Sequence, residues 1–222
     1  AQARLSAAGE PVYRASLGTF ATHALVPAYS VVKVRPDAPF DRVFYCGCGV
    51  TTGVGAAVFD AAVAEGDRIL VFGVGGIGLN VIQGAALAGA TTIVAIDANP
   101  AREVEARRFG ATHFVNPREC PDLVAELREI TAGGADHSFE CIGNVDVMRQ
   151  AIDATNPFWG RCTIVGIAGH DQTLSIDPIG MMMGRTVKGS LFGGAKGRTD
   201  TPKIIDWYMD GKINIDDLVT HS

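Results

Sequence analysis

The sequence has 222 residues, a formal net charge of −5 at pH 7 and 47% apolar residues, so it can bury a sizeable core but offers no basic surface for nucleic acid or anionic membranes. No apolar run approaches the roughly 20 residues of a spanning helix, and the start, AQARLSAAGE, lacks the pattern of a signal peptide. From this start and this charge we expect a cytoplasmic protein without nucleic-acid or membrane partners. Five cysteines, mostly in predicted strands or turns, argue against a disulfide framework.

The first 48 residues do not show the alternation of strands and helices that follows. Short strands are predicted at 18–26 (GTFATHALV) and 30–34 (SVVKV), with prolines between and after them. Two or three strands cannot form an independently stable domain. We therefore expect them to pack on another part of the protein. The stretch YCGCGVTTGVG at 45–55 follows, and then a predicted helix over 56–64.

The next stretch, 69–97, carries the most specific motif. An apolar run at 69–72, ILVF, predicts a strand buried on both faces of a parallel sheet. Gly73, Gly75 and Gly78 follow at GxGxxG spacing; helical spacing begins at Gly76, and a second apolar strand over 92–96 leads into Asp97. Strand, glycine turn, helix, strand and acid together indicate a dinucleotide-binding unit.

The chemistry of a dinucleotide explains this spacing. Gly73 permits the tight turn, Gly75 lets the backbone approach a pyrophosphate, and Gly78 lets the helix pack closely on its strand. The first helical turn, with Gly76 and Ile77, presents free N–H groups and the positive end of the helix dipole to the phosphates. The alternative is a tight glycine turn that binds no ligand.

An acid closes the motif and bears on the choice of cofactor. Asp97 follows the last glycine at the spacing, about 20 residues, where a carboxylate accepts hydrogen bonds from the adenosine ribose. A 2′-phosphate there would meet a negative charge, so the sequence favours NAD over NADP. Ala98, which is not basic, agrees with this prediction. Arg102, one turn into the next helix, could still reach the ribose edge.

The alternation then continues as a doubly wound sheet requires. Helices are predicted over 100–109, over 123–131 and from about 145; strands are predicted over 112–115, 137–142, 162–167 and 186–191. These give an α/β fold with six parallel strands in the order 3-2-1-4-5-6. One more amphipathic helix is predicted within 200–222.

Four motifs in this order resemble the zinc-dependent medium-chain alcohol dehydrogenases: GCGVTTGVGAAV, VFGVGGIGLNVIQGA, SFECIGNVDVM and GRTVKGSLFGG. SFECIGN and VTTG are most similar to the class III branch, the S-(hydroxymethyl)glutathione dehydrogenases, also called glutathione-dependent formaldehyde dehydrogenases. The resemblance implies a remnant of a GroES-like catalytic domain at 1–48, an NAD-binding Rossmann domain at 49–191 and a segment that returns to the catalytic domain at 192–222. It also implies a homodimer that pairs through the edge strand at 186–191.

The resemblance also assigns roles to single residues. Cys48 matches a ligand of the catalytic zinc, and Thr52 matches a residue beside the nicotinamide. Ile142 and Asn144 match the wall of the adenosine-side cleft, and Val165 and Ile167 match positions near the nicotinamide. Ser190 and Phe192 match the segment that binds the carboxamide. Phe20 and Met182 match substrate-pocket walls. The alternative to a role in the substrate pocket is that Met181, Met182 and Met183 pack in the core.

The metal site shows where the chain departs from the family. A catalytic zinc needs three protein ligands, and only Cys48 matches one; the other cysteine and the histidine belong to a segment that this chain does not have. We therefore expect the cofactor-binding core of a dehydrogenase that transfers hydride from a zinc-bound alcohol or glutathione adduct to NAD, cut at both ends and without turnover. The alternatives are a non-catalytic nucleotide-binding or assembly module, or a zinc-free reductase of the same superfamily.

Overall fold

The computed structural model describes residues 5–7, 10–12 and 22–220. The chain divides into two compact units, Ala1–Lys33 and Val34–Ser222. Within the first unit, strands β1 (Leu5–Ala7) and β2 (Glu10–Val12) pair antiparallel. The division into domains at residues 48 and 191 stays a prediction.

The strand predicted at 30–34 is wrong. A short 3-10 helix covers Ala28–Ser30, and residues 31–35 have no regular secondary structure. An alternating apolar pattern forms a strand only where a neighbour completes the hydrogen-bond ladder, and no described residue pairs with this segment. Of the strand predicted at 18–26, residues 22–26 are not strand either, and residues 18–21 lie outside the described part of the chain.

The second unit is built on a six-stranded parallel sheet. Its strands are β3 (Arg68–Phe72), β4 (Thr92–Ile96), β5 (His113–Val115), β6 (His137–Glu140), β7 (Arg161–Ile164) and β8 (Thr186–Gly189). Across the sheet they follow the order β5-β4-β3-β6-β7-β8. Counted from β3, this is the predicted order 3-2-1-4-5-6. The strand order reverses between β3 and β6, where such sheets open a crevice at their carboxyl ends.

Helices connect the strands. They are α1 (Phe40–Val43), α2 (Gly49–Gly55), α3 (Gly76–Leu87), α4 (Arg102–Arg108), α5 (Leu123–Ile130), α6 (Val145–Asp153), α7 (Pro178–Met182) and α8 (Gly197–Met209). From α3 to α6 the helices lie where periodicity predicts them. The short α7 was not predicted.

Both faces of the sheet are covered. In β3, Ile69 and Val71 pack with α3, whereas Leu70 and Phe72 pack on the opposite face with α5 and α6. This alternation explains why the strand is apolar throughout. A third apolar cluster joins α2 to α8 and to Ile213 and Ile215 beyond it.

The helix predicted over 56–64 starts earlier than expected. It begins at Gly49 and continues as a π-helical turn over Ala56–Asp60. Its glycines let α2 lie against α3: a Cβ on Gly53 would overlap the Asn80 Cβ and lie 2.6 Å from the Ile77 carbonyl oxygen. Within the described residues, no single helix is long and apolar enough to cross a membrane; the segments Phe40–Gly47 and Gly49–Asp60, bent by 57°, meet that test only as a pair.

Candidate functional site

The glycine turn between β3 and α3 has the geometry that the motif predicts. Gly73 has a φ of 91°, in the left-handed region that favours glycine. A Cβ on Gly78 would overlap the Gly73 carbonyl oxygen. Gly75 precedes α3 and faces open space, with no atom within 4 Å of the position that a Cβ would take. Open space beside the unpaired N–H groups of a first helical turn suits a pyrophosphate.

Asp97 lies directly after β4, beside this turn. Its Oδ2 accepts a hydrogen bond of 2.8 Å from the Val74 N–H, and its Oδ1 accepts one of 2.9 Å from the Asn99 N–H. These two bonds fix the carboxylate, which stays partly exposed and keeps lone pairs for further donors. Arg102 pairs with Glu105 of its own helix, at 2.5 Å between Nη1 and Oε2. Asp97 therefore takes the predicted place beside the turn, while Arg102 is held by another carboxylate.

Glu140 is a residue of the site to which the sequence analysis gave no role. Its side chain is 0% exposed at the end of β6. Its Oε1 accepts hydrogen bonds from the backbone N–H groups of Ile142, Gly143 and Asn144, at 3.0, 2.8 and 3.3 Å, and its Oε2 has no partner among the described residues. A carboxylate at the end of a strand predicted to lie inside the sheet was the available signal, because a buried charge requires hydrogen-bonding partners.

Glu140 also joins two loops at the reversal of strand order. Its backbone carbonyl accepts from the N–H groups of Val165 and Gly166, both at 2.9 Å. A Cβ on Gly143 would overlap the Ile167 carbonyl oxygen, so the loops after β6 and β7 touch through their backbones. The residue fixes the relative position of these two loops.

The predicted adenosine-side residues lie on the first of these loops. Ile142 covers the glycine turn: a Cβ on Gly73 would lie 2.6 Å from its Cγ1. Asn144 caps α6, where its Oδ1 accepts from the N–H groups of Asp146 and Val147 at 2.9 and 3.2 Å. Ile142 thus faces the turn, whereas the Asn144 amide oxygen serves its own helix.

A cleft of about 650 Å³ opens at the carboxyl ends of β7 and β8. Two apolar side chains at its mouth, Ile167 and Leu191, are each 92% exposed. The cleft is lined by Thr52, Val165, Ile167, Ser190 and Phe192, all predicted near the nicotinamide, by Cys48, predicted as a zinc ligand, and by Ile77, predicted at the phosphates. Its other lining residues, which the sequence did not suggest, are Ile164, Gly166, Gly189 and Leu191. A mostly apolar cleft with a few polar groups is typical of a cofactor site.

The segment with Ser190 and Phe192 is held in an unusual conformation. Phe192 has a φ of 55°, which non-glycine residues seldom adopt. Gly193 packs on α2, and a Cβ there would lie 2.6 Å from the carbonyl oxygens of both Thr51 and Thr52. The Ser190 N–H donates to the Ile164 carbonyl at 2.9 Å, while its buried hydroxyl has no partner among the described residues. The surrounding contacts over-determine this backbone, as is common at functional sites.

Zinc does not fit the described residues alone. Cys48 is exposed and lines the cleft, but the neighbouring Cys46 is buried, and burial raises the pKa of its thiol to about 12, which opposes the thiolate that zinc requires. Within residues 22–220, no group of three histidine, cysteine or acidic side chains is arranged to hold a metal ion. Cys48 can therefore supply one ligand, fewer than the three that a catalytic zinc needs.

The predicted substrate-pocket residues do not join the cleft. Met182 ends α7 and is 79% exposed; it does not line the cleft. Met181 and Met183 are also exposed, so the core-packing alternative for the three methionines is wrong. Phe20 lies outside the described residues.

The opposite, amino edge of the sheet carries a second group of polar residues. Arg68 binds Asp136 through two hydrogen bonds of 2.9 Å, and the Trp159 indole donates to the same carboxylate at 2.9 Å. Burial raises the pKa of Asp136, but these donors outweigh it and hold the pKa well below its ordinary value. His137 is buried, which lowers its pKa, and its Nε2 lies 3.3 Å from Asp67 Oδ2.

The fold and the crevice match one family. The model of the zinc-binding dehydrogenase family matches residues 76–210, which include the end of the glycine turn, Asp97 and most of the cleft. The chain belongs to this family.

Individual relatives agree with that assignment. The chain is 48% identical over 221 residues to an S-(hydroxymethyl)glutathione dehydrogenase of Paracoccus denitrificans, covering 96% of the chain and 59% of the relative. It is 52% identical over 210 residues to a class-3 alcohol dehydrogenase of Cereibacter sphaeroides, covering 91% and 56%. A crystal structure of an alcohol dehydrogenase zinc-binding domain protein from Burkholderia ambifaria superposes with a TM-score of 0.91 at 34% identity, over 96% of the chain and 58% of the other. The chain thus spans less than two thirds of each of these proteins.

Proposed function

We propose that this chain is the nicotinamide-cofactor-binding part of an oxidoreductase that transfers hydride from an alcohol, or from the glutathione adduct S-(hydroxymethyl)glutathione, to NAD. One observation carries the cofactor assignment: the open glycine turn lies beside a carboxylate that two backbone N–H groups fix in place. The names of the relatives support the substrate class.

In this proposal the two halves of NAD bind at different parts of the crevice. The pyrophosphate lies on the turn from Gly73 to Gly78, where the first N–H groups of α3 donate to it. Asp97 accepts hydrogen bonds from the adenosine ribose hydroxyls and disfavours a 2′-phosphate through its charge. Ile142 packs beside the adenosine. The nicotinamide enters the cleft, where Val165 and Ile167 exclude water and the segment with Ser190 and Phe192 positions its carboxamide.

The cofactor, when bound, supplies a ring that accepts hydride. The chain's contribution is to hold this ring in an apolar cleft beside Thr52 and Cys48. Cys48 would provide one ligand to a zinc ion whose other ligands lie outside the described residues. The described residues do not complete this zinc site.

A second candidate function is a non-catalytic NAD-binding or assembly module on the same scaffold. The lack of a three-ligand cluster within residues 22–220 favours it for the chain by itself. Cys48 and Thr52 in the cleft favour the dehydrogenase. Zinc content and alcohol turnover of the 222-residue chain test the expected lack of turnover: stoichiometric zinc with full activity would contradict it and would exclude the non-catalytic module.

The remaining proposals concern assembly, location and domains. We propose a homodimer through β8, supported by its position as the last strand of the sheet and by the exposure of Thr186, Lys188 and Gly189. An open strand edge is a site for pairing with a second copy. We also propose a cytoplasmic location and, on the resemblance to the alcohol dehydrogenases, the three-part division at residues 48 and 191.

The test is a fluorescence titration of the chain with NADH and NADPH, repeated with Asp97→Asn. We expect saturable binding with a clear preference for NADH. In Asp97→Asn, the affinity for NADH falls about tenfold, since a charge-assisted hydrogen bond is lost, and the preference over NADPH narrows. Asp210→Asn, in an exposed pair with Lys212, serves as the control that leaves both affinities unchanged. A wild-type preference for NADPH would contradict the role of Asp97, and binding of neither nucleotide would contradict the proposed function.

A further inference from the structure

Tyr45 lies next to the glycine turn although it is distant from it in sequence. It belongs to a short 3-10 helix, Phe44–Gly47, just before Cys48. A Cβ placed on Gly76, the first residue of α3, would lie 2.5 Å from the Tyr45 hydroxyl oxygen. The hydroxyl is therefore in contact with the first turn of α3, where the proposed pyrophosphate would bind.

The position of the ring is set by packing and not by its hydroxyl. Tyr45 is half-buried against the apolar cluster that joins α2 to α8. A Cβ on Gly49 would lie 2.8 Å from the Tyr45 Cε2, so the ring lies directly on the start of α2. These contacts involve carbon atoms only, and phenylalanine would keep them.

The hydroxyl itself is not used by the described part of the chain. It makes no hydrogen bond to any residue that the structure describes. A phenol group both donates and accepts, and tyrosine hydroxyls that are partly removed from water usually find a partner. Tyr208 shows the contrasting case, since its hydroxyl donates to Asp216 Oδ1 at 2.8 Å.

We propose that the Tyr45 hydroxyl donates a hydrogen bond to a phosphate oxygen of the dinucleotide at the glycine turn. This inference rests on the proposed function. It adds a side-chain donor to the backbone N–H groups of α3, and a donor to a charged phosphate oxygen forms a stronger hydrogen bond than one between neutral groups. Tyr45 also precedes Cys48 by three residues, so the same short segment would contact the phosphates and contribute to the cleft.

The test compares ligands with and without phosphate in the 222-residue chain. NADH binding is followed by fluorescence, and ADP and adenosine binding by calorimetry, for wild type, Tyr45→Phe and the control Tyr208→Phe. We expect Tyr45→Phe to weaken NADH and ADP about tenfold, the effect of one hydrogen bond to a charged group, and to leave adenosine unchanged. Tyr208→Phe should change none of the three affinities.

The outcomes separate this inference from the proposal on which it rests. Unchanged NADH and ADP affinities in Tyr45→Phe would overturn the inference alone. An equal loss for adenosine would also overturn it, because the effect would then not depend on phosphate. A wild-type chain that binds none of the three ligands would overturn the proposed function, and the inference with it. Far-UV circular dichroism and the Tm of Tyr45→Phe should match the wild type, since the ring contacts remain.

Discussion

The two edges of the central sheet treat their polar groups in opposite ways. At the amino edge, Arg68, Asp136 and Trp159 satisfy one another through several hydrogen bonds. At the carboxyl edge, Gly75 faces open space, the Ser190 hydroxyl has no partner among the described residues and Ile167 is almost fully exposed. This difference indicates that the polar groups at the amino edge stabilise the fold, whereas those at the carboxyl edge stay available to a ligand, as in open α/β sheets generally.

The largest effect is expected from one of two glycines in the same turn. Gly78→Ala places a Cβ on the Gly73 carbonyl oxygen, so the turn must shift. We expect the free energy of unfolding to fall by about 3 kcal/mol, the upper range for overpacking, and NADH binding to be lost. Urea denaturation and the NADH titration measure both quantities.

The matched control is Gly75→Ala. Its Cβ meets no atom within 4 Å and its backbone is extended, with φ −85° and ψ −169°. The free energy of unfolding should change by less than about 0.5 kcal/mol, while NADH binding weakens because the Cβ occupies the space meant for phosphate. Equal loss of stability in both variants would contradict the division of roles within the turn.

A smaller effect is expected at Glu140, a residue that departs from the contrast between the two edges. This residue lies at the carboxyl edge, yet its Oε1 satisfies three backbone N–H groups. Glu140→Ala leaves these part-buried groups unpaired, and should lower the free energy of unfolding by about 2 kcal/mol. Glu140→Gln keeps an acceptor oxygen and should recover part of that loss.

The control for Glu140 is Asp122→Ala at the N-terminus of α5, where the carboxylate accepts from the Ala125 N–H. Loss of this cap should cost about 1 kcal/mol without affecting NADH affinity. Glu140→Ala should weaken NADH binding as well, because the loop with Ile142 covers the glycine turn. Unchanged NADH affinity in Glu140→Ala would show that the two loops do not depend on it.

The smallest effect concerns the pH dependence of the amino edge. The pKa of Asp136 is lower in the folded chain than its unfolded value of about 4. The Arg68 pair therefore stabilises the fold above about pH 4, and this contribution is lost as the pH falls from there towards the folded pKa. Asp136→Asn should lower the Tm at pH 7 and flatten the decrease in Tm between pH 5 and pH 3, with NADH affinity unchanged.

Asp37→Asn is the matched control for this measurement. Asp37 also pairs with an arginine, Arg35, and its pKa is likewise lowered, first by the hydrogen bond from that side chain. The pair is exposed, however, and exposed pairs contribute little to stability. A pH profile of Asp37→Asn that changes as much as that of Asp136→Asn would contradict the importance of burial at the amino edge.

The sequence predicts the sheet well because its signals are local. A buried strand that leads into Gly73 and a second strand that leads into Asp97 define one unit. The alternation of strands and helices extends the prediction to the remaining strands. The same reasoning fails for α2. The helix was predicted to begin at residue 56, and only the structure reveals that it begins at Gly49 and that Gly53 lies against α3.

The candidate site follows the same division. Val165 and Ser190, which lie inside the predicted strands 162–167 and 186–191, directly follow the observed β7 and β8 and line the cleft. Contacts between segments far apart in sequence could not be predicted: nothing local places the Tyr45 hydroxyl on α3. The pair of Arg102 with Glu105, in contrast, has the i, i+3 spacing of a local ion pair within one helix.

The contact between α2 and α3 has a mechanical consequence. Gly53 and Gly84 bring the two helix backbones together so closely that neither helix can slide without displacing the other. Cys48 immediately precedes α2, and the glycine turn leads directly into α3. The thiol and the turn therefore belong to one rigid body with a fixed separation. Any segment that completes a zinc site with Cys48 must adjust its own position to this fixed frame.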